Sequence, residues 1–340
     1  MGNIRGGRKK HHYLFCILLV MYYLCTMKQT VAVLWALLMV SACAPSYQEE
    51  REAARQERLK AWREDSAAMK VAVTPTLDCL PLYVAEQYGM FDSLGVDIRL
   101  KRFASHIDCD TAIERGRVEA TVSDLARVAR LVDRGMLLQT PIATDTYWQL
   151  ITNRNSRINE LKQLDNKIVA MTRHSATDML TDHAVDSGKI ADERVFRAQV
   201  NDLSVRLLML KNNEIDALLL PEPQATEALL MNNKVVMDSR DMGWSLGVVA
   251  IREFEEGDTA RHRQQQALLR AYDMACDTIN ELGVSHFAGI IEKECGVASA
   301  TVDSIAGRKI AFRHAQEPRQ EDVDRATKWY KQRKQQDYGF

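Results

Sequence analysis

From residue 69 onward, short apolar runs of strand length alternate with stretches that have helical spacing. Residues 69–73 and 96–103 show the first pattern, residues 80–88 between them show the second, and Gly89 ends that helix. A strand, a helix and a second strand in this order are typical of parallel sheets flanked by helices. The pattern therefore predicts an α/β fold.

The same alternation repeats along the chain. Up to residue 164 it predicts helix 110–115, strand 119–122, helix 125–134, strand 138–143, strand 147–152 and helix 158–164. A second unit follows with strand 167–171, helix 175–186, strand 195–200, helix 203–210 and strand 217–220. The remaining segments are strands 235–237 and 244–251 and helices 259–282, 285–294 and 321–335. Two similar units in one chain predict two lobes, and the strand at 244–251 is long enough to return the chain to the first.

The N-terminal region has the pattern of a bacterial lipoprotein signal. An apolar stretch at residues 31–40 is followed by Ser41, Ala42 and Cys43. The stretch is shorter than the roughly 20 apolar residues that span a bilayer. Cys43 is therefore predicted to carry lipid and to tether a water-soluble domain to a membrane surface.

An uncleaved signal anchor is the alternative. A second apolar run at residues 13–25 follows the basic residues Arg5, Arg8, Lys9 and Lys10. Met27 would serve as a start residue and Lys28 as the basic region of the signal, which would leave residues 1–26 outside the protein.

Between Cys43 and the first predicted strand, the chain is strongly charged. Residues 44–68 are rich in Ala, Glu, Arg and Gln, which favour helix but leave no broad apolar face to bury. We expect a partly helical tether. The predicted domains are a leader (1–42), a tether (43–68), lobe I (69–147 and 247–340) and lobe II (148–246).

Charge and cysteine content narrow the classes of function. The chain has 45 Lys and Arg residues against 46 Asp and Glu residues, without the basic surplus of a nucleic-acid-binding protein. Four cysteines follow Cys43, namely Cys79, Cys109, Cys276 and Cys295, and their spacing matches no zinc motif. Export permits pairing of Cys79 with Cys109 or of Cys276 with Cys295, and free buried thiols are equally compatible. We expect no metal and no cofactor.

Polar residues directly after the predicted strands are the candidate ligand contacts, because open α/β sheets bind ligands at the carboxyl ends of their strands. Residues 172–178 place small polar side chains at a helix N-terminus, which suits an anionic or carbonyl group. Ser175 followed by Asp178 is equally the pattern of a helix cap, and Ser123 with Asp124 has the same two interpretations.

Glu222 is unusual because Pro221 and Pro223 on either side restrict where its carboxylate points. The carboxylate is suited to accept hydrogen bonds from a ligand or from backbone amides at the junction between the lobes. Trp148 and Trp244 fall at the predicted crossings between lobes, where an aromatic ring can stack on a ligand or be buried in the core.

The histidines form no catalytic pattern. The sequence has no HExxH, no GxSxG and no glycine-rich phosphate loop. His106 and His174 follow predicted strands, but single histidines are more often surface or capping residues. We therefore predict a binding protein without catalytic residues.

Several segments resemble the periplasmic substrate-binding proteins of ABC importers, in particular those for sulfonates, taurine, nitrate and the thiamine pyrimidine precursor. The segments are residues 81–85 (PLYVA) with 89–91 (GMF), 94–98 (LGVDI), 161–170, 216–223 (DALLLPEP) and the helix containing Trp329. The resemblance covers nearly all of residues 69–340. It implies a two-lobed type II fold with mixed sheets and two hinge crossovers, which closes on its ligand.

The resemblance also implies ligand contacts by position. They are Leu77, Asp78, Ser105, His106, Ser123, Asp124, Arg173, Ser175, Thr177, Asn201 and Glu222. Trp148 joins them because it lies at a predicted crossing. Asp78 and Cys79 stand where many members have smaller neutral residues, so the charge of the ligand stays open.

The implied function is an exported, lipid-anchored and monomeric solute-binding protein that faces the periplasm. Its implied partners are a small-molecule solute, an ABC permease with its ATPase subunit, and a membrane through the N-terminal lipid. Two alternatives remain open: an enzyme on the same fold, of the menaquinone- or thiamine-pyrimidine-pathway type, and a ligand-sensing lipoprotein without an importer.

Overall fold

The computed structural model describes residues 16–17, 19–32, 35, 47–308 and 310–338. The chain divides after Ser66 into two compact units. In the first, residues 19–32 are helical, and helix α1 (Tyr47–Ala67) carries mostly exposed side chains, as expected of a charged tether. Cys43, the predicted lipid site, lies outside the described residues. Within the described part of the chain, none of the helices combines the length and apolar content that a membrane crossing requires.

The second unit contains two five-stranded sheets. In spatial order, the first consists of β2 (Ile98–Arg102), β1 (Met69–Val73), β3 (Ala120–Asp124), β10 (Gly247–Arg252) and β4 (Leu138–Ala143). The second consists of β7 (Val195–Gln199), β6 (Lys167–Met171), β8 (Ala217–Leu220), β5 (Gln149–Thr152) and β9 (Lys234–Asp238).

Both sheets are mixed and have the same arrangement. Strand β1 is parallel to β2 and β3, and β6 is parallel to β7 and β8, whereas β10 and β5 are antiparallel to both of their neighbours. The chain passes to the second sheet at residues 144–148 and returns at 239–246. This architecture confirms the predicted two-lobed α/β fold with mixed sheets and two crossovers.

Helices cover the sheets. They are α2 (Leu80–Gln87), α3 (Met90–Ser93), α4 (His106–Glu114), α5 (Leu125–Asp133), α6 (Ala176–Gly188), α7 (Leu203–Lys211), α8 (Gln224–Leu230), α9 (Thr259–Leu282), α10 (Ala288–Cys295), α11 (Ser299–Ala306) and α12 (Gln320–Tyr338). One core packs helices such as α2 and α9 against the first sheet. Another unites Leu125 of α5, Leu180 of α6 and Ala326 of α12. Helix α12 thus contacts a helix that flanks each sheet.

The structure departs from the predicted elements in a few places. Helix α4 begins four residues early, because Ser105 Oγ caps it by accepting the N–H of Asp108 at 3.4 Å. Residues 158–164 form only a 3₁₀ turn, Leu161–Leu164, and the pattern misses α8 and α11. The four cysteines of the second unit are buried free thiols, which leaves neither of the two considered disulfides formed.

Candidate functional site

The carboxyl ends of the parallel strands of the two sheets face each other across a cleft. We define the cleft by residues 74–79, 103–105 and 123–124 on the first-sheet side and residues 172–176 and 221–224 on the second-sheet side. Three of the hydrogen bonds that join the two sides among the described residues involve backbone groups. They run from Leu77 N–H to Glu222 O (2.9 Å), from Gln224 Nε2 to Pro75 O (2.6 Å) and from Ala176 N–H to Asp124 Oδ1 (2.9 Å).

Asp78 occupies the loop after β1 and is only 8 % exposed. Its Oδ2 accepts a hydrogen bond from Thr144 Oγ1 at 3.2 Å, while Oδ1 has no partner among the described residues. Burial raises the pKa of the Asp78 carboxyl, although the hydroxyls of Thr146 and Thr76 act in the opposite direction. The group is therefore a weakly solvated carboxyl that still has acceptor capacity.

His106, the first residue of α4, lies on the same side of the cleft. Its Nε2 is 3.5 Å from Thr74 Oγ1. Burial, together with the charge of Arg127, lowers the pKa of His106 to about 3. The imidazole is neutral at physiological pH and serves as a hydrogen-bonding group rather than as an acid.

Asp124 joins the N-termini of two helices. Its Oδ1 caps α5 by accepting the N–H of Arg127 at 3.0 Å, and it also accepts the N–H of Ala176, the first residue of α6. Burial raises the pKa of Asp124 to about 6, although the nearby Arg127 charge opposes this. The capping interpretation of this residue is confirmed, and the same atom also contacts the second-sheet side of the cleft.

The polar residues at the start of α6 bond mainly to one another. Ser175 Oγ donates to Thr172 O at 2.7 Å and accepts the N–H of Thr177 at 3.1 Å. Thr177 Oγ1 accepts the N–H of Thr172 at 2.9 Å. These hydroxyls cap the helix, while Arg173 is exposed and Asn201, half-buried, accepts a 3.4 Å bond from Gln199.

Glu222 anchors the second-sheet side near the crossover. Its Oε1 accepts hydrogen bonds from Tyr147 Oη at 2.9 Å and from an Arg308 guanidinium nitrogen at 2.7 Å. Its Oε2 accepts from the backbone N–H (3.0 Å) and the hydroxyl (2.7 Å) of Thr226. The carboxylate is fully satisfied and links α8 to the chain after α11.

Two buried arginines lie behind the strand ends and were not predicted. Arg127 pairs with Asp110 at 2.5 Å. Arg206, 2 % exposed, donates to Leu219 O at 2.9 Å and to Thr172 Oγ1, and no ion pair among the described residues includes it. Burial, with the Arg127 charge, lowers the pKa of Arg206 to about 9. The available signal was the presence of Arg within two apolar helical runs, Arg127 and Arg130 in α5 and Arg206 in α7.

A cavity of about 30 Å³ lies in the cleft. Its lining includes the predicted site residues Leu77, Asp78 and Glu222 and the unpredicted residues Tyr147, Ile310 and Phe312. Trp148 is absent from this lining, because its ring is buried in the core with Leu125 and Leu180. Trp244 instead packs against His183, with ring centroids 4.9 Å apart.

The predicted residues thus form four groups. Leu77, Asp78 and Glu222 line the cavity. Asp124, Ser175 and Thr177 bond at the N-termini of α5 and α6. Ser105, His106 and Ser123 lie on the first-sheet side of the cleft outside this lining, and Trp148, Arg173 and Asn201 belong to none of these three groups. Among the described residues, no cluster of three or more His, Cys, Asp or Glu side chains is arranged to hold a metal.

A family model described as NMT1/THI5 like matches residues 76–278. Comparison with curated proteins gives no match. Three solved structures with a similar fold are 14% identical in sequence to this chain. The periplasmic aliphatic sulphonate binding protein SsuA from Escherichia coli has a TM-score of 0.62 over 78% of this chain and 87% of that chain. The periplasmic nitrate-binding protein NrtA from Synechocystis has a TM-score of 0.61 over 74% of each chain. The desulfurization enzyme DszB has a TM-score of 0.52 over 79% of this chain and 92% of that chain. At such low identity these matches show the fold alone.

Proposed function

The chain belongs to the NMT1/THI5-like family, and we propose that it is an extracytoplasmic solute-binding protein of an ABC importer. It captures a small polar solute between lobe I (69–147 and 247–340) and lobe II (148–246). The closed form delivers the solute to the permease and its ATPase subunit. The signal pattern that ends at Cys43 supports a lipid tether to the cell envelope, and we propose that the tethered protein is a monomer.

Buried polar atoms without partners at the cleft carry this proposal. Asp78 Oδ1 and Ser123 Oγ on the first-sheet side, and Gln224 Oε1 on the second-sheet side, have no hydrogen-bond partner among the described residues. Leaving such an atom unpaired costs about 1–3 kcal/mol, and native proteins retain few of them. A polar solute supplies partners from both sides, and this gain favours the closed arrangement.

The names of two structural neighbours are consistent with this solute class. SsuA is described as binding aliphatic sulphonates and NrtA as binding nitrate, both small polar species. Their fold supports the same mode of capture for this chain, with the solute identity decided by its own cleft residues.

A solute panel tests the proposal. With sulfonates, nitrate, pyrimidines and amino acids, a true ligand raises the melting temperature in proportion to the logarithm of its concentration above Kd. The same ligand reduces the radius of gyration in solution scattering. A panel that gives neither a shift nor compaction contradicts the proposal.

Two buried serines after first-sheet strands provide a matched pair of variants. Ser123→Ala removes a hydroxyl without a partner, so the ligand-free protein should keep its melting temperature while solute affinity falls. Ser105→Ala removes a cap, so stability should fall by about 1 kcal/mol with affinity nearly unchanged. Equal effects of the two substitutions on affinity would argue against a site at Ser123.

An enzyme on this fold is the second candidate, because DszB shares the architecture. Burial raises the pKa of the Cys79 thiol to about 12, which makes this cleft cysteine a poor nucleophile at neutral pH. Turnover of any panel compound by the purified protein would favour the enzyme over the transport role.

A further inference from the structure

The cavity in the cleft has an unequal balance of charge. Of the residues that line it, three carry carboxyl groups, Asp78, Asp145 and Glu222, and none is basic. Asp145 pairs with Arg313 Nε at 2.5 Å, and Glu222 pairs with Arg308 at 2.7 Å. Asp78 belongs to none of the ion pairs among the described residues, and its Oδ1 has no hydrogen-bond partner there. Of the three carboxyl groups, Asp78 is therefore the one without a cationic partner among the described residues.

The remaining lining suits a particular shape of occupant. Leu77, Ile310 and Phe312 present apolar surface to the cavity. Its volume of about 30 Å³ equals one to two water-sized groups. The cavity in its present form thus accommodates the polar end of a solute, and the body of the solute requires the lobes to separate slightly.

We propose that the solute carries a nitrogen donor group, such as a protonated amine, an amidine or an amino-substituted ring, which binds Asp78 Oδ1 in this cavity. The inference rests on the proposed solute-binding function and adds the chemical class of the ligand. An N–H group that carries positive charge forms a charge-assisted hydrogen bond with a carboxylate, which is stronger than a neutral one. It also balances the excess of carboxyl groups around the cavity.

An anionic or carbonyl occupant is the competing class. Burial raises the pKa of Asp78, so a protonated carboxyl is able to donate to an acceptor. Such an acceptor would, however, meet no basic side chain in the cavity lining, and the guanidinium groups nearby already pair with Asp145 and Glu222. The geometry therefore favours the donor.

The test compares two series of monocyclic aromatic probes of similar size. The nitrogen donors are benzamidine, benzylamine and 4-aminopyridine, and the acceptors are benzoate and benzenesulfonate. Calorimetry at pH 7 with the full-length protein measures each affinity. We expect the donors to bind at least about tenfold more tightly than the acceptors, as for a lost charge-assisted hydrogen bond.

Two substitutions sharpen the test. Asp78→Asn should weaken donor binding by about tenfold or more. Asp97→Asn, at an exposed carboxylate that pairs with Arg99 outside the cavity, should change it by less than about twofold. Melting curves of both variants verify folding, and the donor-to-acceptor ratio of the unsubstituted protein tests the inference without any variant.

The outcomes separate this inference from the proposed function. Acceptors that bind more tightly than donors, or donor binding that survives Asp78→Asn, overturn the donor class and leave solute binding in place. If neither series nor the wider solute panel binds or compacts the protein, both the inference and the proposed function are overturned.

Discussion

Asp124 illustrates how burial acts on one carboxyl group at the cleft. Its Oδ1 serves the N-termini of α5 and α6 at once, and burial raises its pKa to about 6. The unfolded chain keeps an ordinary aspartate, so between pH 4 and 6 the folded protein binds the extra proton. Stability contributed by this group is therefore present at low pH and is lost as the pH rises to about 6.

We predict that Asp124→Asn removes this pH dependence while it retains a capping oxygen. The free energy of unfolding of the variant, relative to that of the unsubstituted protein, should rise by about 2–3 kcal/mol from pH 4 to pH 6 and should not rise further above pH 6. Urea unfolding at pH 4, 5, 6 and 7 measures this difference. Ser123→Ala, beside it on β3 and without a titratable group, is the control, and a flat difference for Asp124→Asn would refute the argument.

At the level of elements, the start of α6 separates capping from ligand binding. The hydroxyls of Ser175 and Thr177 are engaged with Thr172 and with each other, at 2.8 Å between the two oxygens. Their hydrogen-bonding capacity is largely used within the helix terminus. The capping interpretation therefore has direct support at this position.

We predict that Ser175→Ala lowers the free energy of unfolding by about 1 kcal/mol, the usual value for a lost N-cap. Chemical denaturation measures the change, and solute affinity should change little. Arg173→Ala, at an exposed position in the same loop, should leave stability within about 0.5 kcal/mol. Unchanged stability of Ser175→Ala with lost binding would return this residue to the ligand site.

The elements that could be predicted are those whose pattern is local. The strands at 69–73, 138–143, 167–171 and 217–220 match their predicted bounds. Apolar runs of this length are typical of buried strands, as at 69–73 and 217–220. Helix α8 was missed because Pro221 and Pro223 before it favour a loop.

The candidate site could be predicted only in part, for a similar reason. Residues after parallel strands meet at one sheet edge by necessity, which is why Leu77, Asp78 and Glu222 were found. The partners of Glu222 are Tyr147 and Arg308, 75 and 86 residues away in the chain. Only the three-dimensional path of both crossovers brings them together.

For the whole molecule, the bond between Glu222 and Arg308 connects the two sides of the cleft. Glu222 follows β8 of the second sheet, while Arg308 follows α11, whose Val302 and Ile305 belong to the core of the first sheet. The Arg308 side chain is 35 % exposed, so this ion pair is intermediate between an exposed and a fully buried one. We expect its contribution to holding the two sides of the cleft together to be intermediate as well.

We predict that Glu222→Gln and Arg308→Gln each enlarge the radius of gyration of the ligand-free protein and weaken solute binding by about 1–2 kcal/mol. The double variant should be little worse than either single variant, because both remove the same bond. Solution scattering and calorimetry measure the two effects. Fully additive losses would show that the residues act separately.

Helix α12 follows every strand of both sheets in the chain, yet it completes the core that α5 and α6 share. Ala326 is fully buried there, Trp329 Nε1 donates to Asp182 of α6 at 2.6 Å, and Tyr330 Oη donates to Asp133 of α5 at 3.2 Å. A nascent chain that has not yet reached residue 320 leaves the apolar faces of both helices in water. Such an intermediate is a substrate for chaperones and proteases. The final folding step of this unit therefore requires the last turns of α12.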